Sequence, residues 1–105
     1  MSYDSIAFRT AVLVSFQQAL VDMVTPPLRA VSVTPTGPLI RALFVYESVS
    51  EKELMLMLEV EAHVAADFHS PVDVDFRALE PPPERRLSLS PGDAWIFRRH
   101  EGLPD

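Results

Sequence analysis

Residues 50–77 carry the sequence pattern that decides the fold, SEKELMLMLEVEAHVAADFHSPVDVDFR. Ser50 and Glu53 form a capping box, in which each side chain can accept a hydrogen bond from the backbone N–H of the other residue. The residues that follow include no Gly or Pro before Pro71 and are rich in Leu, Met, Glu and Ala, which favour a helix. Pro71 then prevents the helix from continuing. The stretch therefore predicts one continuous helix over Glu51–Asp67.

A strand is predicted after that helix, because Val72, Val74 and Phe76 alternate with charged residues over 72–79. Val74 and Phe76 are expected to face the helix. Apolar periodicity and the turn residues Pro and Gly predict the rest of the chain in the same way. These elements are a first helix over 4–24 capped by Asp4 or Ser5, and strands over 28–34, 39–46 and 94–98, the last with Trp95 and Phe97 on one face.

The predicted order is helix, strand, strand, helix, strand, strand, which fits a two-layer α+β domain. In such a fold, two helices cover one face of an antiparallel-type sheet of three or four strands. Residues 39–46 are apolar on both faces, which indicates a central strand. If this strand and the strand over 72–79 are parallel neighbours, their crossover is expected to be right-handed. The length predicts a single domain over 1–105, with a frayed tail from about residue 99.

A helical projection of residues 51–67 predicts which of their side chains reach the core. Glu61 falls in the middle of the predicted apolar side, which comprises Leu54, Met57, Leu58, Val64, Ala65 and Phe68. A second apolar strip of Met55, Leu56 and Val60 falls outside it, and either the first helix covers this strip or it contacts another chain. The side chains predicted to be largely buried come from both helices and two strands: Phe16, Leu20, Phe44, Leu54, Leu58 and Trp95.

The position of Glu61 leaves two interpretations open. An ionised carboxylate inside an apolar core is costly without a partner. Glu61 therefore either reaches solvent from the edge of the core or is buried. If buried, it would pair with Arg29 or Arg41 on the predicted strands, or it would be a pocket acid with a raised pKa.

The net charge of −6 is concentrated in the middle of the chain. Residues 47–84 hold ten Asp and Glu residues against only Lys52 and Arg77, which gives this segment a charge of −8. Such a segment repels nucleic acid and attracts a cationic partner. The alternative is an acidic face that only keeps the protein in solution.

Several classes of function lack the residues that they need. The chain has no Cys and its three His residues have no short metal-binding spacing, so no metal and no cofactor are expected. No nucleophile motif or Gly-rich phosphate loop is present, which favours a non-enzymatic role. The remaining enzyme hypothesis is an acid–base site around Glu61, Asp67 and His69. No signal peptide or membrane-spanning run is visible, which predicts a cytoplasmic location without membrane association.

Three motifs resemble a widespread and largely uncharacterised group of small acidic bacterial proteins. They are VTPPLRAVSV at 24–33, AADF at 65–68 and WIFRR at 95–99, and the resemblance runs from about Ala19 to Arg99. Size, acidity and element order are also similar to those of immunity proteins from bacterial toxin systems, including contact-dependent growth inhibition. This resemblance implies an α+β binding protein without catalytic residues.

We therefore predict a non-enzymatic protein-binding module, an immunity-type inhibitor of a basic bacterial toxin domain. The acidic and apolar residues expected to bind this partner are Glu59, Asp67, Asp73, Asp75, Met55 and Leu56. The alternative is a structural or self-assembling module, in which the strip of Met55, Leu56 and Val60 forms a homodimer contact.

Overall fold

The computed structural model describes residues 6–36, 38–68, 72–81, 89 and 93–100. Asp4, Ser5 and His69, for which the sequence predicts roles, lie outside the described residues. The elements follow the predicted order: α1 (Ile6–Ala19), β1 (Leu28–Thr36), β2 (Leu39–Tyr46), α2 (Glu51–Ala66), β3 (Asp73–Leu79) and β4 (Ala94–Arg98). The predicted α+β class is confirmed.

The four strands form one sheet in the order β3-β2-β1-β4, so that β2 is an interior strand as predicted. The pairs β1–β2 and β1–β4 are antiparallel, whereas β2 and β3 are parallel. The expectation of an antiparallel-type sheet is corrected to a mixed sheet. The reason is the position of α2, because a helix between two neighbouring strands returns the chain to the starting edge and makes the strands parallel.

Both helices pack on the same face of the sheet. On β2 this face carries Ile40, Ala42, Phe44 and Tyr46, all at most 3% exposed. Across the ladders it continues onto the apolar residues of β1 and β3, because side chains of paired residues lie on the same side. The core residues from both layers include Phe8, Val12, Phe16, Val31, Val33, Met57, Val60 and Val64.

Aromatic rings join the two layers in the middle of the core. The ring of Phe76 stacks on Phe16 of α1 at 5.4 Å and on Phe44 of β2 at 5.7 Å between centroids. Val74 and Phe76 thus pack on the helical side of β3, as the alternation predicts. The predicted burial of Phe16, Leu20 and Phe44 is also confirmed.

The predicted orientation of α2 is only partly correct: Met57 and Val64 are buried as predicted, but the centre of the buried side lies elsewhere. Its buried residues are Glu53, Met57, Val60 and Val64, so the buried side is turned by about 70° from the predicted centre at Glu61. Leu54 and Leu58, predicted to be buried, are 41% and 54% exposed. Val60 is in the core instead. The helix thus turns the β-branched Val60 and Val64 toward the sheet and its longer leucines outward.

Strand β4 also differs from its predicted pattern. Val31 pairs with Phe97, but the neighbouring Ser32 pairs with Trp95, so Ile96 is an extra residue in the ladder. This bulge places Phe97 on the helical side and Trp95 on the opposite side. Trp95 is therefore only partly buried, and its ring lies 5.3 Å from the guanidinium carbon of Arg98.

The first helix ends earlier than predicted. After Ala19 the chain forms a turn over 20–23, in which Asp22 has a φ of 65°. Asp tolerates this left-handed conformation better than most residues, so the helix stops before residue 24, its predicted end. After β4, the Arg99 side chain donates to the Pro26 carbonyl at 2.9 Å and to Glu47 Oε1 at 2.7 Å. Residues 101–105 lie outside the described part of the chain, so the frayed tail stays a prediction.

Candidate partner-binding surface

The N-terminus of α2 is fixed by the predicted capping box, which is confirmed. The Ser50 side chain accepts from the Glu53 N–H, and Glu53 Oε1 accepts from the Ser50 N–H at 3.2 Å and from the Ser50 hydroxyl. The Ser50 hydroxyl lowers the pKa of Glu53 below its ordinary value; burial opposes this shift, and the Ser50 N–H, Thr25 and Lys52 support it. An acid that is only 7% exposed therefore remains charged at the positive end of the helix.

The side of α2 that points away from the sheet is both apolar and acidic. Leu54, Met55 and Leu58 are 41%, 60% and 54% exposed. Residues three or four apart are neighbours on a helix surface, so the carboxylates of the same helix border these side chains. We call this surface the outer face of α2; it comprises Glu51, Leu54, Met55, Leu58, Glu59 and Glu61.

Glu61 is half-buried at the edge of this outer face, which agrees with the edge-exposed interpretation. Arg41 cannot be its partner, because Arg41 alternates with the core residues Ile40 and Ala42 and is exposed on the opposite side of the sheet. The buried acid of α2 is Glu53 instead.

Two members of the second predicted apolar strip divide between core and surface. Val60 is 1% exposed and Met55 60% exposed, while Leu56 is half-buried between them. The strip is therefore not a single contact surface. Met55 belongs to the outer face, and Val60 belongs to the core.

Asp67 follows the last turn of α2 and connects the two helices. Its Oδ2 accepts from the hydroxyl of the buried Ser15 of α1 at 2.6 Å and lies 3.6 Å from His63 Nε2. The same carboxylate is 39% exposed and borders a shallow groove along α1. Asp67 thus has an intramolecular role that sequence reasoning did not find, because its Ser15 partner is 52 residues away.

Asp73 and Asp75 lie on the other side of the molecule. Val74 and Phe76 face the helices, so the aspartates of the same strand point away from them. Asp73 is exposed, whereas Asp75 contacts Arg77, with Oδ1 accepting from Nε at 3.3 Å and Oδ2 lying 3.3 Å from Nη2. The Arg77 guanidinium balances the charge that Asp75 would offer a basic partner.

The predicted binding residues therefore do not form one surface. Glu59 and Met55 lie together on α2, and Asp67 ends the same helix, but Asp73 and Asp75 project from the opposite face of the sheet. The structure adds Leu54 and Leu58 to the exposed residues of α2. Nothing in the sequence predicted that these two leucines are exposed, because leucine on a helix most often lies in the core.

Other kinds of site find no support among the residues that the structure describes. Within this part of the chain, no three His, Asp or Glu side chains are grouped so that they could hold a metal ion. None of the described helices is long and apolar enough to cross a membrane.

The chain is similar to a known protein family. The family model described as MafI2 immunity protein matches residues 9–101. The match extends from the first turns of α1 past the end of β4 and so includes every strand and all of α2. No curated protein matches the sequence.

Proposed function

Because the chain belongs to the MafI2 immunity protein family, we propose that it is an immunity protein that binds a bacterial toxin domain and blocks its activity. The family match carries this proposal, since it covers nearly the whole chain. An immunity protein inhibits by binding, which is consistent with the absence of a nucleophile or phosphate-binding motif in the sequence.

The charge distribution supports a basic toxin as the partner. The segment 47–84 has a charge of −8 and includes all of α2 and β3. Opposite charge on a partner accelerates association, because long-range attraction steers the two surfaces together. An inhibitor gains from a fast association, since it must occupy the toxin before the toxin acts.

The sequence predicts toxin contacts on two layers, and one toxin surface is expected to meet only one of them: Glu59, Asp67, Met55 and Leu56 on or next to α2, or Asp73 and Asp75 on β3. These residues differ in what their substitution would report. Asp67 and Asp75 already contact Ser15 and Arg77 within the chain, so replacing them also changes the fold locally. Glu59 and Asp73 are exposed on opposite layers, which makes them the cleaner pair for comparison.

Co-expression tests the function. The toxin domain encoded by a neighbouring reading frame is expressed in a bacterial host with and without this chain. Growth arrest by the toxin alone and recovery with the chain are expected. Two outcomes would contradict an immunity role. One is no recovery of growth, and the other is recovery although the purified proteins do not bind each other.

The basic nature of the toxin is tested separately by salt. Association rates are measured by surface plasmon resonance between about 50 and 500 mM NaCl, a range over which screening shortens the reach of charge strongly. An association rate that falls steeply with salt supports a basic partner. Of the substitutions Glu59→Lys and Asp73→Lys, the one on the layer that meets the toxin should flatten this salt dependence. A salt-independent rate would mean that the acidic segment is only a solvated face.

A further inference from the structure

The outer face of α2 has the composition of a binding site centre. Leu54 and Leu58 are one turn apart, and Met55 lies beside Leu54. A single exposed leucine is ordinary on a protein surface. Three large apolar side chains within two turns are a patch, and such patches commonly mark contact sites.

This patch is held on a rigid support. The opposite side of α2 inserts Met57, Val60 and Val64 into the core, all at most 7% exposed. The capping box fixes the first turn, and Asp67 ties the last turn to α1. Apolar anchors that are already fixed in place lose little conformational freedom on binding, so they contribute more to affinity.

The charges around the patch select the kind of partner. Glu51, Glu59 and Glu61 border the apolar side chains, while Lys52 lies on the far side of Met55. Anionic lipid or nucleic acid would be repelled by this border. A second copy of the chain docking through the same face would bring two sets of these carboxylates together.

We propose that the outer face of α2 is the docking surface for the toxin, and that the toxin presents an apolar patch surrounded by Lys or Arg side chains. This inference rests on the proposed function. Leu54, Met55 and Leu58 fill the centre of the contact, and the three glutamates meet the basic rim. The two aspartates of β3 then lie outside the interface.

A double substitution tests the apolar centre. Leu54→Ser with Leu58→Ser should weaken binding of the adjacent-frame toxin domain by about 30-fold or more, mainly through faster dissociation, as expected for central anchors. The matched control is Val14→Ser with Val21→Ser, which removes exposed apolar groups of α1 and the turn after it (43% and 65% exposed) and should leave affinity unchanged. Thermal unfolding of each variant verifies that it is folded.

Charge reversal gives a second test that does not depend on the leucines. Glu59→Lys should slow association and flatten its salt dependence, whereas Asp73→Lys on the other face should change neither. Unchanged binding by both the serine and the Glu59→Lys variants would overturn the proposal, while binding by the unaltered protein would still support the immunity role. No binding by the unaltered protein would overturn both. Sedimentation of the unaltered protein as a homodimer, and of the Leu54→Ser, Leu58→Ser variant as a monomer, would show that a second copy of the chain occupies this face. That result would also overturn the proposal.

Discussion

The orientation of α2 can be tested with two adjacent residues of similar size. Met57→Ala and Leu58→Ala each remove three heavy atoms beyond Cβ, and Met and Leu have similar helix propensities. Met57 is 7% exposed and Leu58 54% exposed. Any difference between the two losses in the free energy of unfolding therefore reports which side of the helix is in the core.

The expected loss for Met57→Ala follows from its burial. Three buried groups at about 0.8 kcal/mol each give ~2.4 kcal/mol of lost transfer energy. The cavity left below α2 adds to this, so a total of about 2–4 kcal/mol is expected. Leu58→Ala loses less than half of the transfer term and leaves no enclosed cavity, and alanine favours the helix slightly. Its expected cost is about 1 kcal/mol or less.

Urea unfolding followed by circular dichroism measures both losses. For a domain of this size, the expected difference moves the unfolding midpoint of Met57→Ala on the order of 1 M below that of Leu58→Ala. Equal costs, or a larger cost for Leu58→Ala, would refute the orientation described here and restore the apolar side centred on Glu61.

Three further outcomes concern the start of α2 and its surroundings. Ser50→Ala should cost about 1 kcal/mol of stability through loss of the cap, whereas Ser48→Ala, an exposed position before it, should cost little; chemical unfolding measures both. Because the pKa of Glu53 is lowered in the fold, its stabilisation is complete above its unfolded pKa and is lost as pH falls through the folded pKa. Glu53→Gln should therefore flatten the acid limb of a stability–pH curve; an unchanged acid limb would contradict this role. Burial, with a smaller effect of Glu53, raises the pKa of Tyr46 to about 12, so stability should fall as pH rises from about 10 to 12. Tyr46→Phe should remove that part of the loss, and an alkaline limb identical to that of the unaltered protein would show that Tyr46 ionises freely.

Local sequence determined the elements of this protein. The bounds of β2 and the start of α2 were predicted as observed, because alternation and a capping box act over a few residues. The order of helices and strands then restricted the fold to two layers. The resemblance to immunity proteins, which was based on size, acidity and element order, agreed with the family match over residues 9–101.

The candidate surface was only partly predictable. Met55 and Glu59 were correctly placed on the outside of α2, but Leu54 and Leu58 were assigned to the core. α2 is apolar around much of its circumference, so several orientations satisfy its sequence almost equally. Only packing against α1 and β3 selects among them, and that choice turns Val60 inward and the leucines outward.

Long-range pairing decided the rest. The sequence placed Asp67 and Asp75 in one acidic segment, but contacts with Ser15 and Arg77 give them separate roles on opposite layers. The bulge at Ile96 similarly turned Trp95 away from Phe97. A sequence specifies which residues alternate along one element, whereas the partner of each side chain depends on how elements distant in the chain pack together. In this protein that packing determined which acids and leucines remain exposed.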